Sequence, residues 1–177
     1  MCAVGYDDPL MRKAIIFTGA VLALTALIPA SAQGNANGTE RPIKVTFSDT
    51  SVFDLATLTF HYEGTQLDSH LGKAAFEGDG SISLTGFNTF DQRDAWVVTA
   101  ANGDELFGTN AATGTGGPRG LVGGSEETVI QTITGGTGRF RDATGTLTGT
   151  FRNVLVSLVG GVATYSVHGS SAGTISY

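Results

Sequence analysis

Apolar and polar positions alternate along most of the chain in runs too short for helices. Leu55 to Glu63 carries the pattern in full: Leu58, Phe60 and Tyr62 fall on one face, and Thr57, Thr59, His61 and Glu63 on the other. A segment of this kind is a strand with one buried face. The same period predicts strands over Ile43 to Phe47, Leu71 to Phe76, Ser81 to Thr85, Ala95 to Thr99, Glu105 to Thr109, Thr128 to Thr134, Gly145 to Val159, Val162 to His168 and Gly173 to Tyr177.

Turn signals stand between these runs. Ser48 to Asp54 is expected to be a turn or irregular link, and Glu77-Gly78-Asp79-Gly80 a hairpin turn. Ala101-Asn102-Gly103-Asp104 makes the firmest hairpin, because its Asn-Gly pair accepts positive backbone angles. The glycine-rich run Thr113 to Gly124 is expected to be a long loop, either a lid at a barrel mouth or a plain surface connection. About nine or ten short strands at this spacing predict an all-β antiparallel barrel or sandwich. The runs are too short, and the aromatics too few, for an outer-membrane barrel.

Thr128 to Phe151 reads as a strand, a glycine-rich corner from Gly135 to Gly145, and a second strand. A phosphate-binding loop does not fit that corner. Arg141 stands where the third glycine of a dinucleotide fingerprint would open a helix, and the alternating Thr and Gly beyond it cannot make one. Gly135, Gly136 and Gly138 are expected to permit a tight reversal, with Phe140 pointing inward as a plug. Arg139 and Arg141 are expected to point outward, toward Asp142, Glu126 or Glu127.

Composition places these strands in one exported domain. A chain of 177 residues with 41% apolar content can build a single core, and 26 glycines suit many short strands. The net charge of -6 gives no general attraction for nucleic acid. Residues 11–32 read as a secretory signal peptide: a basic start at Arg12 and Lys13, an apolar run from Ala14 to Ile28, and a small-residue end at Ala30-Ser31-Ala32. Cleavage after Ala32 would send the protein to the periplasm or the cell exterior, with no stable membrane insertion afterwards. Residues 1–10 form an upstream extension ahead of a better start at Met11, residues 33–42 a flexible segment, and residues 43–177 the β domain. Cys2, the only cysteine, lies in that extension, so a mature chain has no disulfide, thiolate nucleophile or cysteine metal site.

Candidate chemistry is sparse. His61, His70 and His168 have no metal-ligand spacing, and neither a metal nor a cofactor is expected. His61 falls on a polar face; His70, at a strand start, is the stronger site candidate. No G-x-S-x-G elbow supports a hydrolase. The carboxylate pairs Asp91/Asp94, Asp104/Glu105 and Glu126/Glu127 sit in polar, turn-like contexts where solvated charge is expected. Neither Glu77 to Gly80 nor Asp91 to Asp94 has the ligand spacing of a calcium loop.

Gly135-Gly136-Thr137-Gly138-Arg139-Phe140-Arg141, with Ala143 and Gly145, resembles the GGTGxFRxAxG segment of plant dirigent proteins and, more loosely, the matching segment of allene oxide cyclases. His70-Leu71-Gly72-Lys73 and Ala100-Ala101-Asn102-Gly103-Asp104 resemble stretches of secreted bacterial proteins that carry the same segment. The resemblance implies a single closed antiparallel barrel of about eight strands. It also implies an interior that holds or steers a small apolar molecule, by shape and exclusion of water. Phe47, Phe60, Tyr62, His70, Trp96 and Phe107 are the candidate ligand-binding residues, with Leu58 and Phe76 on the same apolar faces. Gly135, Gly136, Gly138, Phe140, Arg141 and Gly145 form the structural motif. Any catalysis would be isomerase-like or cyclase-like rather than hydrolytic, and no catalytic residue can be placed. A fully packed barrel with an outer interaction surface is the alternative, and a homo-oligomer is compatible with either. A void of ~300 Å³ or more would separate the two readings.

Overall fold

The computed structural model describes residues 38–117 and 120–177. The expected signal peptide, the extension ahead of it and the first part of the 33–42 segment lie outside the described residues. Eight strands follow one another: β1 (Arg41–Asp54), β2 (Thr59–Asp68), β3 (Gly72–Leu84), β4 (Thr89–Ala100), β5 (Glu105–Gly117), β6 (Gly120–Gly136), β7 (Thr144–Val159) and β8 (Val162–Ser176). Each pairs antiparallel with the next, and β8 closes onto β1, so the sheet is a closed barrel in plain chain order. Closure leaves no free sheet edge.

The strands are fewer and longer than the sequence predicts, because four expected breaks are paired: residues 169–172, expected to separate two strands, run on inside β8 opposite β1, and three more follow. Ser48 to Asp54 continues β1 in unbroken register, from Ser48 opposite Thr65 to Asp54 opposite Thr59. Glu77 to Gly80 is the middle of β3, where Gly78 faces Trp96 and Gly80 faces Asp94 on β4. Of Thr113 to Gly124, the described residues end β5 at Gly117 and begin β6 at Gly120, paired from Thr113 opposite Thr128 onward, with an irregularity at Gly116/Gly117. In the last two of these places, glycines with turn-forming character leave space inside the barrel. A β-carbon on Gly78 would meet the Tyr62 ring, and one on Gly114 the Phe90 ring. Small residues opposite large ones fill a narrow barrel without clashes.

The reversals divide the barrel into two ends. The β2–β3, β4–β5 and β6–β7 connections gather at one end with the start of β1 and the end of β8; the other four hairpins gather at the opposite end. At the β4–β5 turn Gly103 has φ 85°, as the Asn-Gly signal implies. Leu58 was expected inside a strand but ends the β1–β2 turn at φ 57°, donating its N–H to Asp54 O at 2.9 Å.

The glycine-rich corner is a structural element. β6 runs to Gly136, Gly138–Phe140 makes one 3-10 turn, and β7 leaves at Thr144. Gly138 sits at φ 55°, and a β-carbon there would strike the Asp104 carboxylate. Phe140 is fully buried and meets the Tyr177 ring edge-on at 4.8 Å, closing this end of the core. Arg139 and Arg141 are exposed. Arg139 does not use the expected partners: its side chain donates to His70 O at 2.8 Å, lies 3.9 Å from Asp104 and covers the Phe140 ring at 4.6 Å.

Candidate functional site

The inward face of each strand follows from its apolar phase. On β4 Trp96 and Val98 point into the core, so Asp94, Gln92 and Phe90 do too, and all are buried. On β6 the phase of Val129 and Ile133 carries Glu127 inward. On β1 the phase of Ile43 and Val45 carries Asp49 inward. The barrel therefore encloses three carboxylates along β1, β4 and β6, and a fourth, Asp68, at the end of β2. This corrects the expectation of solvated pairs: Asp91 and Glu126 are exposed, whereas their neighbours Asp94 and Glu127 are buried.

A hydrogen-bond network organises one of the three. The Trp96 indole N–H donates to Asn110 Oδ1 at 3.0 Å, and Asn110 Nδ2 donates to Asp94 Oδ1 at 2.8 Å. The Tyr62 hydroxyl also donates to Asp94 Oδ1, at 2.8 Å, and Gln92 Nε2 donates to Asp94 Oδ2 at 3.0 Å. Burial pushes the Asp94 carboxyl above its ordinary range, while these three donors pull it back toward the anion. Burial and the neighbouring Asp94 charge push the Tyr62 hydroxyl far up, so it stays a donor.

Glu127 accepts from Ser125 Oγ at 3.1 Å and from the Asn153 amide. Burial outweighs these bonds and raises its carboxyl from 4.5 to about 7, with a further push from Asp94. Asp49 is raised from 3.8 to about 7 by burial first, then by the charges of Glu127 and Asp94. Its Oδ1 has no hydrogen-bond partner among the described residues. A fourth buried acid, Asp68, serves a turn: its Oδ1 accepts from the His70 and Leu71 N–H groups at 2.6 and 3.2 Å.

Between these groups lies a cavity of about 100 Å³. Phe47, Phe60, Tyr62 and Trp96 line it, as do Asp49, Glu127, Gln92 and Asn110. Phe47 and Phe76 point inward yet are only half-buried, which is the surface they turn to the void. The interior is neither filled nor as roomy as the ~300 Å³ usual for ligand pockets. At about 100 Å³ it is smaller than the dry cavity of ~150 Å³ that accommodates benzene, so it suits a molecule of only a few heavy atoms.

Two candidate residues lie elsewhere. Phe107 is on the outer phase of β5, half-buried, because Leu106 takes the inward position. His70 sits at the corner end, with its ring nitrogens near Tyr177 Oη (3.1 Å) and Pro42 O (2.8 Å), and does not line the cavity. His61 is exposed and paired with Asp79 at 2.9 Å, and His168 is exposed. Among the described residues no group of three or more His, Cys, Asp or Glu side chains is arranged to hold a metal ion. No described helix is long and apolar enough to cross a membrane. The chain matches no protein-family model, no curated protein and no solved structure.

Proposed function

We propose that this chain is an exported barrel that binds a small molecule in its interior and holds it in one orientation. The observation that carries the reading is the cavity of about 100 Å³, whose walls combine aromatic rings with fixed polar groups. Apolar walls supply affinity and a few placed polar groups supply orientation, which is how small-molecule sites are built. The closed barrel is also the architecture that the resemblance to dirigent proteins and allene oxide cyclases implies. The size of the cavity restricts the ligand to molecules well below those that a 300 Å³ pocket would take. Export by residues 11–32 belongs to the same reading, and mass spectrometry of the exported protein should find a chain beginning at Gln33.

Trp96 is the only tryptophan and lies in the cavity wall, so its fluorescence tests the reading directly. Saturable changes in its emission with small probes, abolished by Ala112→Phe, are the expected result; Ala112 is a buried residue on the inward phase of β5. No saturable change with any small probe would defeat the proposal.

One observation favours the alternative, an interaction protein. Val154, Val156, Leu158, Val159 and Val162 are exposed together around the β7–β8 hairpin, with Val159 at 75%. A contiguous apolar patch on a barrel surface marks a contact with another molecule. A sedimentation experiment in which Val156→Asp and Val159→Asp convert an oligomer to a monomer would support that reading; a monomer at all concentrations would count against self-association.

A further inference from the structure

An apolar occupant does not account for the acids inside the barrel. Asp49, Asp94 and Glu127 are exposed by only 8%, 7% and 6%. Among the described residues, no Lys, Arg or His side chain lines the cavity beside them. Buried carboxylates are costly without a counter-charge, and the usual remedy, a basic side chain, is missing from these walls.

The three acids are also unequally served. Asp94 receives three donors, and Glu127 receives Ser125 and Asn153. Asp49 Oδ1 is buried, belongs to a residue lining the cavity, and has no hydrogen-bond partner among the described residues. Buried acceptors in native proteins are satisfied by protein, water or ligand, so the open Asp49 Oδ1, with Gln131 Oε1 also open in the same wall, gives a donor group of a ligand a place to bind.

We propose that the cavity binds a small organic ammonium ion, with its N–H groups directed at Asp49 and its alkyl body against Phe47, Phe76 and Trp96. The inference rests on the reading of the cavity as a small-molecule site and names the class of ligand. An ammonium group brings three donors and one positive charge, which answers an open acceptor and an excess of carboxylates at once. Aromatic walls add attraction for a cation lying over a ring face. The carboxylates stand on three separate strands, without the clustered geometry of a metal site. That favours an ion with a body over a bare divalent cation.

The purified chain would be titrated with isobutylammonium chloride, isobutanol and sodium isobutyrate, following Trp96 emission and the melting temperature. Isobutylammonium should bind about tenfold more tightly than isobutanol, a difference of ~1.4 kcal/mol, and isobutyrate should not bind. Asp49→Asn, close to isosteric, should weaken the ammonium about tenfold and leave isobutanol unchanged; Glu127→Gln provides the same test if that variant does not fold. Asp91→Asn, on the outer face of β4, should change neither. Isobutanol binding as tightly as the ammonium would overturn the cation and leave the small-molecule site standing. No saturable binding of any probe would overturn both. Stabilisation by calcium or magnesium that depends on Asp49, with none by the ammonium, would overturn the organic cation in favour of a metal.

Discussion

The Tyr62 hydroxyl donates to Asp94 Oδ1 at 2.8 Å although β2 and β4 are not neighbours, because the strand between them offers Gly78 at the crossing. A β-carbon on Gly78 would collide with the tyrosine ring. Tyr62→Phe keeps the ring and removes the donor. Losing a hydrogen bond to a buried carboxylate should cost ~1.5 to 3 kcal/mol. The loss should be larger at alkaline pH than in mild acid, since the donor stabilises the charged form of Asp94. Urea unfolding of both proteins at two pH values measures this, and equal losses at the two values would show that the bond does not serve the anion.

Asp49 and Glu127 set the pH dependence of stability. In the unfolded chain their carboxyls titrate near 3.8 and 4.5, and in the barrel both are raised to about 7. Between those limits the folded state holds more protons than the unfolded state, so stability falls as pH rises. Their contribution is fully present below about pH 4 and is lost by the time pH passes about 7, after which it is flat. Each pKa unit is worth ~1.4 kcal/mol, so the two shifts together set an upper limit of roughly 8 kcal/mol on what is lost across that window. Asp49→Asn should raise the melting temperature above neutrality and flatten part of the slope. A wild-type melting temperature that climbs steadily from mild acid to neutrality would contradict the burial of these acids.

The corner separates two kinds of contribution. Phe140 is fully buried, and Phe140→Ala should cost ~3 to 5 kcal/mol. Arg139 is half-exposed, and its pairing with Asp104 is worth ~0 to 1 kcal/mol. Arg139→Ala also removes the bond to His70 O and the cover over Phe140, so its loss should be measurable yet well below that of Phe140→Ala. Thermal melts of the two variants decide the order, and a reversal would mean that Arg139, not the buried ring, holds the corner together.

What the sequence made legible was the alternation, and where it misled, one residue type was doing two jobs. The Asn102-Gly103 hairpin and the β6–β7 corner were readable because turn chemistry and strand phase agree there. Glu77 to Gly80 misled because its glycines carry a turn signal while serving as space for Tyr62 and Phe60. The acids of the candidate site were legible in principle: extending the phase of Trp96 back along β4 reaches Asp94, and that of Val129 back along β6 reaches Glu127. They were missed because charged residues next to one another read as surface, and because each expected strand stopped short of them, Ala95 to Thr99 beginning just after Asp94 and Thr128 to Thr134 just after Glu127. Asp49 was hidden for the same reason, inside a segment expected to be a turn. His70 was placed in the interior for its position at a strand start and Phe107 as an aromatic on an expected strand, without the register that sets Leu106 inward and leaves Phe107 outside.

Two glycines put this distinction to a direct test. Gly108 lies on β5 opposite Trp96, and a β-carbon added there would enter the indole ring and meet the backbone oxygen of Thr132. Gly72 opens β3 at φ 73° with nothing within 4 Å of the added carbon, so its reason is the backbone angle alone. Gly108→Ala forces the barrel to repack and should cost ~1 to 3 kcal/mol, while Gly72→Ala carries only the strain of a left-handed residue, ~1 to 2 kcal/mol. Stability alone therefore does not separate them, but Trp96 does. The indole N–H is held by Asn110, which in turn donates to Asp94. Displacing the ring in Gly108→Ala should shift the Trp96 emission and weaken the binding of cavity probes, whereas Gly72→Ala should leave the emission and the binding as in the wild type. If Gly108→Ala left the Trp96 spectrum unchanged, the close packing of ring on backbone would not be the reason for a glycine at that position.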